Sequence, residues 1–254
     1  MNQVIHGDCL EVMPTLPDKS IDMILCDLPY GTTACKWDTV IPFEPLWFQY
    51  KRLIKDNGAI VLTTSQPFTS ALVMSNFVMF RHCWVWDKGT ATNFQTVNRQ
   101  PMRYTEDILV FAITSPRFYP IKTQRVKPKD YSQCKTIRGN NKNINHFHSD
   151  ERILNKLRVD KYPSNLIRIS SQAGECNNLN RLHPTQKPVA LFEYLIKTYT
   201  NEGETVLDNC AGSGTTAIAC LNTNRNYILI EKEKEYIDII NKRISEHEQQ
   251  LALC

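Results

Sequence analysis

Short apolar runs alternate along this chain with segments whose apolar residues recur at helical spacing, and that alternation limits the possible folds more than any other feature. Ile21–Cys26, Ala59–Leu62, Thr205–Leu207 and Tyr227–Ile230 read as buried strands. Leu46, Trp47, Tyr50, Leu53 and Ile54 fall on one face of a helix opened by Pro42 and Pro45, which Asn57-Gly58 is expected to stop. Leu191, Phe192, Leu195, Ile196 and Tyr199 mark a second amphipathic helix. Residues 66–77, 215–221 and 234–248 add further helices, and 8–13 a short one ended by Pro14. Residues 2–5, 82–86 and 107–111 add strands. Strands followed by helices followed by strands imply a mostly parallel sheet with right-handed crossovers and helices on both faces, an α/β fold.

The alternation fails between residues 115 and 182, and so does the charge balance. That stretch holds 14 Lys/Arg against 5 Asp/Glu, whereas the remainder holds 16 against 21. A basic segment on an acidic body points to a polyanionic partner; a solvated lysine-rich loop is the plainer alternative. With 254 residues the chain can bury one sizeable core, so one domain carrying this irregular insertion is expected, divided at 1–114, 115–182 and 183–254. No apolar run reaches membrane-spanning length. The first residues lack the basic start and apolar core of a signal peptide, so a cytoplasmic protein is expected. The nine cysteines are odd in number and none has Cys-x-x-Cys spacing. Free thiols in a reducing compartment fit them better than disulfides or zinc. His146 and His148 are the nearest histidine pair and have no thiolate pair beside them, so no metal is expected.

Two strand ends carry chemistry. Asp27-Leu28-Pro29-Tyr30-Gly31 follows the strand at 21–26, at the edge where open α/β sheets bind ligands; taken alone, it is also an ordinary strand ending in a proline turn. Asp208-Asn209-Cys210-Ala211-Gly212-Ser213-Gly214-Thr215-Thr216 joins another strand to a helix through a glycine turn. Glu231 ends the next strand, where an acid can accept hydrogen bonds from ribose hydroxyls. The glycine spacing is not that of a dinucleotide fingerprint, and no Gly-Lys-Ser/Thr follows to make a P-loop. Asp208 would repel a pyrophosphate and suits an ammonium or sulfonium group.

Together these two strand ends resemble the amino-group DNA methyltransferases, which methylate an exocyclic nitrogen of adenine or cytosine. The order of the motifs, catalytic first and cofactor turn last, is similar to the β group of that family, a circularly permuted arrangement. His183-Pro184-Thr185-Gln186-Lys187-Pro188 and Tyr104-Thr105-Glu106-Asp107-Ile108-Leu109 match that group as well. The resemblance covers most of the chain outside 115–182. It implies a Rossmann-like fold that binds S-adenosylmethionine, with catalytic residues Asp27, Leu28, Pro29 and Tyr30. Leu28 replaces the family's usual proline but keeps the backbone carbonyl that this position contributes. The cofactor would be held by Asp8, Cys9, Asp27, His183, Thr185, Lys187, Asp208, Ala211, Gly212, Ser213, Gly214, Thr215, Thr216 and Glu231. Asp8 serves as a partner for the cofactor's adenine, as a helix N-cap, or as both. His183 belongs to the cofactor site or caps the helix that follows. Residues 115–182 become the target-recognition insertion, in which Lys122, Arg125, Lys127, Lys129, Lys135 and Arg138 would meet phosphates and Asn140, Asn141, Asn143 and Asn145 could read base edges. Arg99 and Arg103 either approach the DNA backbone or are ordinary surface arginines. The first-position Asp favours adenine N6 over cytosine N4. A non-catalytic nucleic-acid-binding module on the same fold is the reading from another class. DNA is the expected partner, with a homodimer or a cognate restriction endonuclease as further ones.

Overall fold

The structure, a computed structural model, describes residues 2–31, 38–129, 158–172 and 186–252. They fall into two compact units, the smaller being Pro120–Ser164 and the larger taking in the chain on either side of it.

The strands of the larger unit are β1 (Gln3–His6), β2 (Ile21–Asp27), β3 (Ile54–Thr64), β4 (Phe80–Thr92), β5 (Arg103–Phe111), β8 (Leu166–Arg168), β9 (Thr205–Asp208) and β10 (Asn226–Glu231). They form one eight-stranded sheet in the order β1-β10-β9-β2-β3-β5-β4-β8. Only β5 runs against the others, paired antiparallel with both β3 and β4. Residues 166–168 of the basic segment therefore lie in the main sheet. Phe118, from the start of that segment, stacks on Trp84 with ring centroids 6.1 Å apart. The smaller unit is narrower than the charge bias: β6 (Thr123–Lys129) pairs antiparallel with β7 (Arg158–Lys161).

Side chains alternate between the two faces of β2 and β3, as the pleat requires. Met23, Leu25, Ala59 and Val61 enter one apolar cluster with α4 (Val189–Tyr199), α5 (Thr215–Asn222) and α6 (Lys234–Ala252). Ile24, Cys26, Ile60 and Leu62 enter another with α1 (Cys9–Val12), α2 (Phe43–Leu53) and α3 (Phe68–Ser75). Helices thus cover both faces. The strands are continuously apolar because neither face is wet.

The structure corrects the reading of Asn57-Gly58. The α2 helix ends at Leu53, and β3 begins at Ile54 and runs straight through the pair. The glycine is a close-approach residue, not a helix stop. A Cβ there would lie 2.7 Å from the Asp22 carbonyl oxygen and 2.7 Å from Ile54 Cδ1, beside a register shift between β2 and β3. The short first helix, Cys9–Val12, ends ahead of Pro14 as expected, and the proline enters a separate 3-10 turn over Met13–Thr15.

Gly58→Ala should cost about 1–3 kcal/mol, the range for overpacking. Chemical denaturation reads it, and unchanged stability would contradict the packing argument.

Candidate active site

The sheet changes direction of travel between β2 and β9. From β9 the chain moves through α5 to β10 on one side, and from β2 through α2 to β3 on the other. Such a switch point opens a crevice at the carboxyl ends of the strands. Met23 pairs with Val206 and Ile24 with Leu207, so Asp27 and Asp208 leave adjacent strands at the same edge. A cavity of about 700 Å³ lies there, lined on one side by Asp8, Asp208, the glycine turn and Glu231, and on the other by Asp27, Leu28, Pro29 and Tyr30.

The glycine side is fixed by hydrogen bonds to its own backbone. Glu231 accepts from Gly212 N at 2.7 Å and from Glu233 N at 2.9 Å. Gly212 and Gly214 both have positive φ, and a Cβ on Gly214 would lie 2.9 Å from Ile240. The Arg243 guanidinium, from α6, donates to the Ser213 carbonyl. Asp208, 3% exposed, accepts from Cys210 N at 3.1 Å and from the Thr216 hydroxyl. Burial nevertheless pushes its carboxyl up to about 7. Burial raises Glu231 as well. Tyr50, on α2, donates its hydroxyl to Asn209 Oδ1 at 2.6 Å and so holds the start of the turn. Asp8 caps α1 by accepting from Leu10 N at 2.9 Å, and its second oxygen takes Lys232 Nζ at 3.3 Å. The N-cap reading of Asp8 therefore holds, and the same residue faces the cavity. Cys9 and Cys210 line the cavity too, and Cys210 meets Cys26 behind it, where burial pushes the Cys26 thiol up to about 12.

The other side is built around a chain of alternating charges. Asp27 Oδ1 accepts from the Tyr30 hydroxyl at 2.6 Å and from the Thr63 hydroxyl, its register partner on β3. Asp27 Oδ2 accepts from Lys187 Nζ at 2.8 Å. The same ammonium lies 3.4 Å from Glu106 Oε2, and Glu106 Oε1 accepts from Lys88 Nζ at 3.2 Å. Lys187 and Lys88 are 8% and 4% exposed. Burial alone would push Lys187 down, but Asp27 and Glu106 hold it well above the usual lysine range. Burial works the other way on Glu106, and the two lysines outweigh it, leaving its carboxyl below the usual range. The Tyr30 ring stacks on Phe68 with centroids 5.3 Å apart.

Comparison with known proteins settles the family. A sequence profile described as DNA methylase, covering N6 and N4 methyltransferases, matches residues 21–242. The chain belongs to this DNA methylase family. It is 28% identical to the type II methyltransferase M.HpaI of Haemophilus parainfluenzae, over 95% of this chain and 74% of that protein. It is 28% identical to the DNA adenine methyltransferase YhdJ of Escherichia coli (strain K12), over 95% of this chain and 82% of that protein. Among solved structures, the M1.HpyAVI–SAM complex superposes with a TM-score of 0.62 at 25% identity, covering 96% of this chain and 100% of that one. The cytosine-N4-specific PvuII DNA methyltransferase shares the fold, with a TM-score of 0.64 at 17% identity over 96% and 86% of the two chains.

The fold is that of the S-adenosylmethionine-dependent DNA methyltransferases, and the site fits that cofactor. The cavity volume is within the ~300–1,000 Å³ usual for small-molecule sites. Its turn-side wall offers three carboxylates, Asp8, Asp208 and Glu231, to a ligand bearing an ammonium and a sulfonium. Cys9, Ala211, Gly212, Ser213 and Thr215 line it too. Thr216 and Gly214 act from behind, through Asp208 and the backbone turn. The Lys187 side chain points at Asp27, while its carbonyl accepts from the Thr215 hydroxyl at 3.4 Å.

His183 and Thr185 lie outside the described residues, as do Lys135, Arg138, the four asparagines 140, 141, 143 and 145, and both histidines of the 146–148 pair. Lys127 and Lys129 are placed on β6. Lys122 pairs with Asp160 at 2.7 Å and lies over the Tyr162 ring, and Arg125 donates to the Asp160 carbonyl at 2.8 Å. Arg99 and Arg103 are exposed. Among the described residues no group of His, Cys, Asp and Glu is placed to hold a metal, and no helix is long and apolar enough to cross a membrane.

Sequence reasoning gave no role to Lys88, Thr63 or Tyr50, and quoted Glu106 only within a motif. Lys88 was within reach: it continues the period-two series Trp84, Trp86, Lys88, whose members are all under 5% exposed. A lysine in register with two buried tryptophans is turned inward.

Asp208 ties pH to both stability and binding. Between about pH 4 and 7 the folded state keeps a proton that the unfolded chain has released, so this residue's contribution to stability falls as pH rises through that window. Above pH 7 the buried charge costs on the order of 4 kcal/mol. Asp208→Asn should therefore raise the melting temperature of the ligand-free protein at pH 8, with the gain shrinking toward pH 4, while losing affinity for S-adenosylmethionine. A lower melting temperature at pH 8 would contradict the burial argument.

Proposed function

We propose that this protein transfers the methyl group of S-adenosylmethionine to the exocyclic N6 of an adenine in DNA, at a specific sequence. One observation carries the reading: Asp27 with Leu28, and Asp208 with Glu231, face each other across a single cavity.

Adenine N6 is a weak nucleophile because its lone pair is delocalised into the ring. Two acceptors placed on its hydrogens favour a pyramidal nitrogen with that pair available. The Asp27 carboxylate and the Leu28 carbonyl supply them, and Pro29 sets the turn between Leu28 and Tyr30. The Tyr30 hydroxyl already occupies Asp27 Oδ1. It gives way when the substrate amine arrives, and the same movement releases its ring to stack on the base, worth about 1–3 kcal/mol. When bound, S-adenosylmethionine supplies a methyl group on a positively charged sulfur, ready for direct displacement. The protein's part is to aim the nitrogen, which contributes through positioning. Because N6 is inaccessible in a stacked duplex, the base is flipped out.

The basic segment supports a DNA partner, with sequence-independent phosphate contacts from its lysines and arginines. The pairing of β1 with β10 supports the permuted order, since it sets the beginning and the end of the chain's element order side by side. The relatives named type II methyltransferases support a place beside a cognate restriction endonuclease. Adenine is favoured over cytosine by the Asp at the head of the catalytic motif and by the adenine-specific relative. The cytosine-N4 reading draws on the shared fold of the PvuII enzyme. The intact Asp27, Tyr30, Asp208 and Glu231 speak against a non-catalytic module.

Single-molecule sequencing of DNA from cells expressing the protein should show N6-methyladenine in one recurring motif. N4-methylcytosine would replace the adenine reading with the cytosine one, and unmodified DNA would refute both. Asp27→Ala should keep S-adenosylmethionine affinity, read by calorimetry, and lower turnover roughly 10²-fold or more. Near-normal turnover in that variant would remove Asp27 from the mechanism.

A further inference from the structure

Lys187 is a buried cation in the cavity wall, and three elements converge on it. Its ammonium takes Asp27 Oδ2 at 2.8 Å from β2 and stands 3.4 Å from Glu106 Oε2 on β5. Its carbonyl takes the Thr215 hydroxyl at 3.4 Å from the first turn of α5, where the glycine turn ends. Lys88, itself buried, fixes the far oxygen of Glu106 at 3.2 Å. A lysine on the surface would have rotamers to spare; here the stem is 92% covered and the head is held between two carboxylates. No contact of the side chain runs toward the Asp8, Asp208 and Glu231 wall.

Resting on the methyltransferase reading above, we propose that Lys187 is a positioning residue for methyl transfer: it fixes the Asp27 carboxylate so that Oδ1 faces the incoming amine, with Glu106 and Lys88 as its brace. A carboxylate held at one oxygen by a buried ammonium cannot rotate to present either oxygen at random. That removes a degree of freedom from the group that must meet the substrate's amine hydrogen. Glu106 holds the ammonium from the opposite side, and Lys88 keeps Glu106 from turning to solvent. The side chain thereby acts on the acceptor site, while the main chain at the same residue is tied to the cofactor turn. Replacing the side chain separates the two, because the bond from Thr215 ends on the carbonyl.

The test compares Lys187→Met with the wild type in steady-state methylation of a DNA substrate, together with calorimetric titration of S-adenosylmethionine. The expected result is a kcat lower by roughly 10- to 100-fold, the scale for a displaced reacting group, with the DNA KM and the cofactor Kd within about threefold of wild type. Lys187→Arg, which restores a cation opposite Asp27, should recover most of the loss. A Lys187→Met enzyme with wild-type kcat overturns the proposal. So does a cofactor Kd that weakens in step with kcat, since that would make the side chain a cofactor ligand. Should circular dichroism show Lys187→Met to be unfolded, Lys187→Gln takes its place under the same criteria. The wild type's own turnover on DNA rests on the functional reading alone, so the role of Lys187 is judged only by the ratio of variant to wild type.

Discussion

A two-rung parallel ladder, Met23 against Val206 and Ile24 against Leu207, holds the chemistry of this molecule together. The residues it joins are more than 180 apart in the chain, and everything at the active site follows from their being neighbours. Because both strands run the same way, their carboxyl ends emerge at one edge. Because the connections from them depart in opposite directions, a crevice opens between them. Asp27 and Asp208 are thereby delivered to one crevice with no loop needed to bring them there. The apolar faces of β2 and β3 keep this register by burying alternate residues against helices on both sides, so a one-residue slip would turn every side chain to the wrong cluster.

The site concentrates charge where water is scarce, and it does so in two different ways. On the catalytic side, Asp27, Lys187, Glu106 and Lys88 alternate in sign, so each buried charge meets its opposite. That arrangement offsets desolvation within the protein itself and, on the proposed mechanism, stiffens the carboxylate that aims a weak nucleophile. On the glycine-turn side, Asp208 and Glu231 have hydrogen-bond donors but, among the described residues, no cation within bonding distance, and burial lifts both carboxyls. On the proposed reading, the missing countercharge at Asp208 matches the cationic end of the methyl donor, and Glu231 faces its ribose.

Much of this was legible before any coordinates. The helical spacing of Leu46, Trp47, Tyr50 and Leu53, and the run at 21–26, mark stretches whose burial is nearly complete, and there periodicity speaks clearly. Asn57-Gly58 misled because the pair usually signals a turn, whereas its glycine is required by a carbonyl 2.7 Å from where a Cβ would be; crowding from another strand leaves no local trace. Asp27, Tyr30, Asp208 and Glu231 stood out because polar residues at strand ends interrupt an apolar pattern. Glu106 and Lys88 did not, because their meaning is pairwise: each needs the other, and Lys187, to make sense of its burial. The residues of the basic segment beyond Lys129 carry composition but little pattern, and composition names a class of partner without naming contacts.

The most direct test is a crystal structure of the protein with a non-reactive analogue of S-adenosylmethionine that carries an amine in place of the methyl-bearing sulfur. The account predicts the ligand's amino-acid end against Asp208 and the glycine turn, its ribose at Glu231, and its amine turned toward Asp27 and the Leu28 carbonyl. A ligand seated away from this crevice, or seated in it with the amine facing away from Asp27, would contradict the claim that the two strand ends form one reaction site.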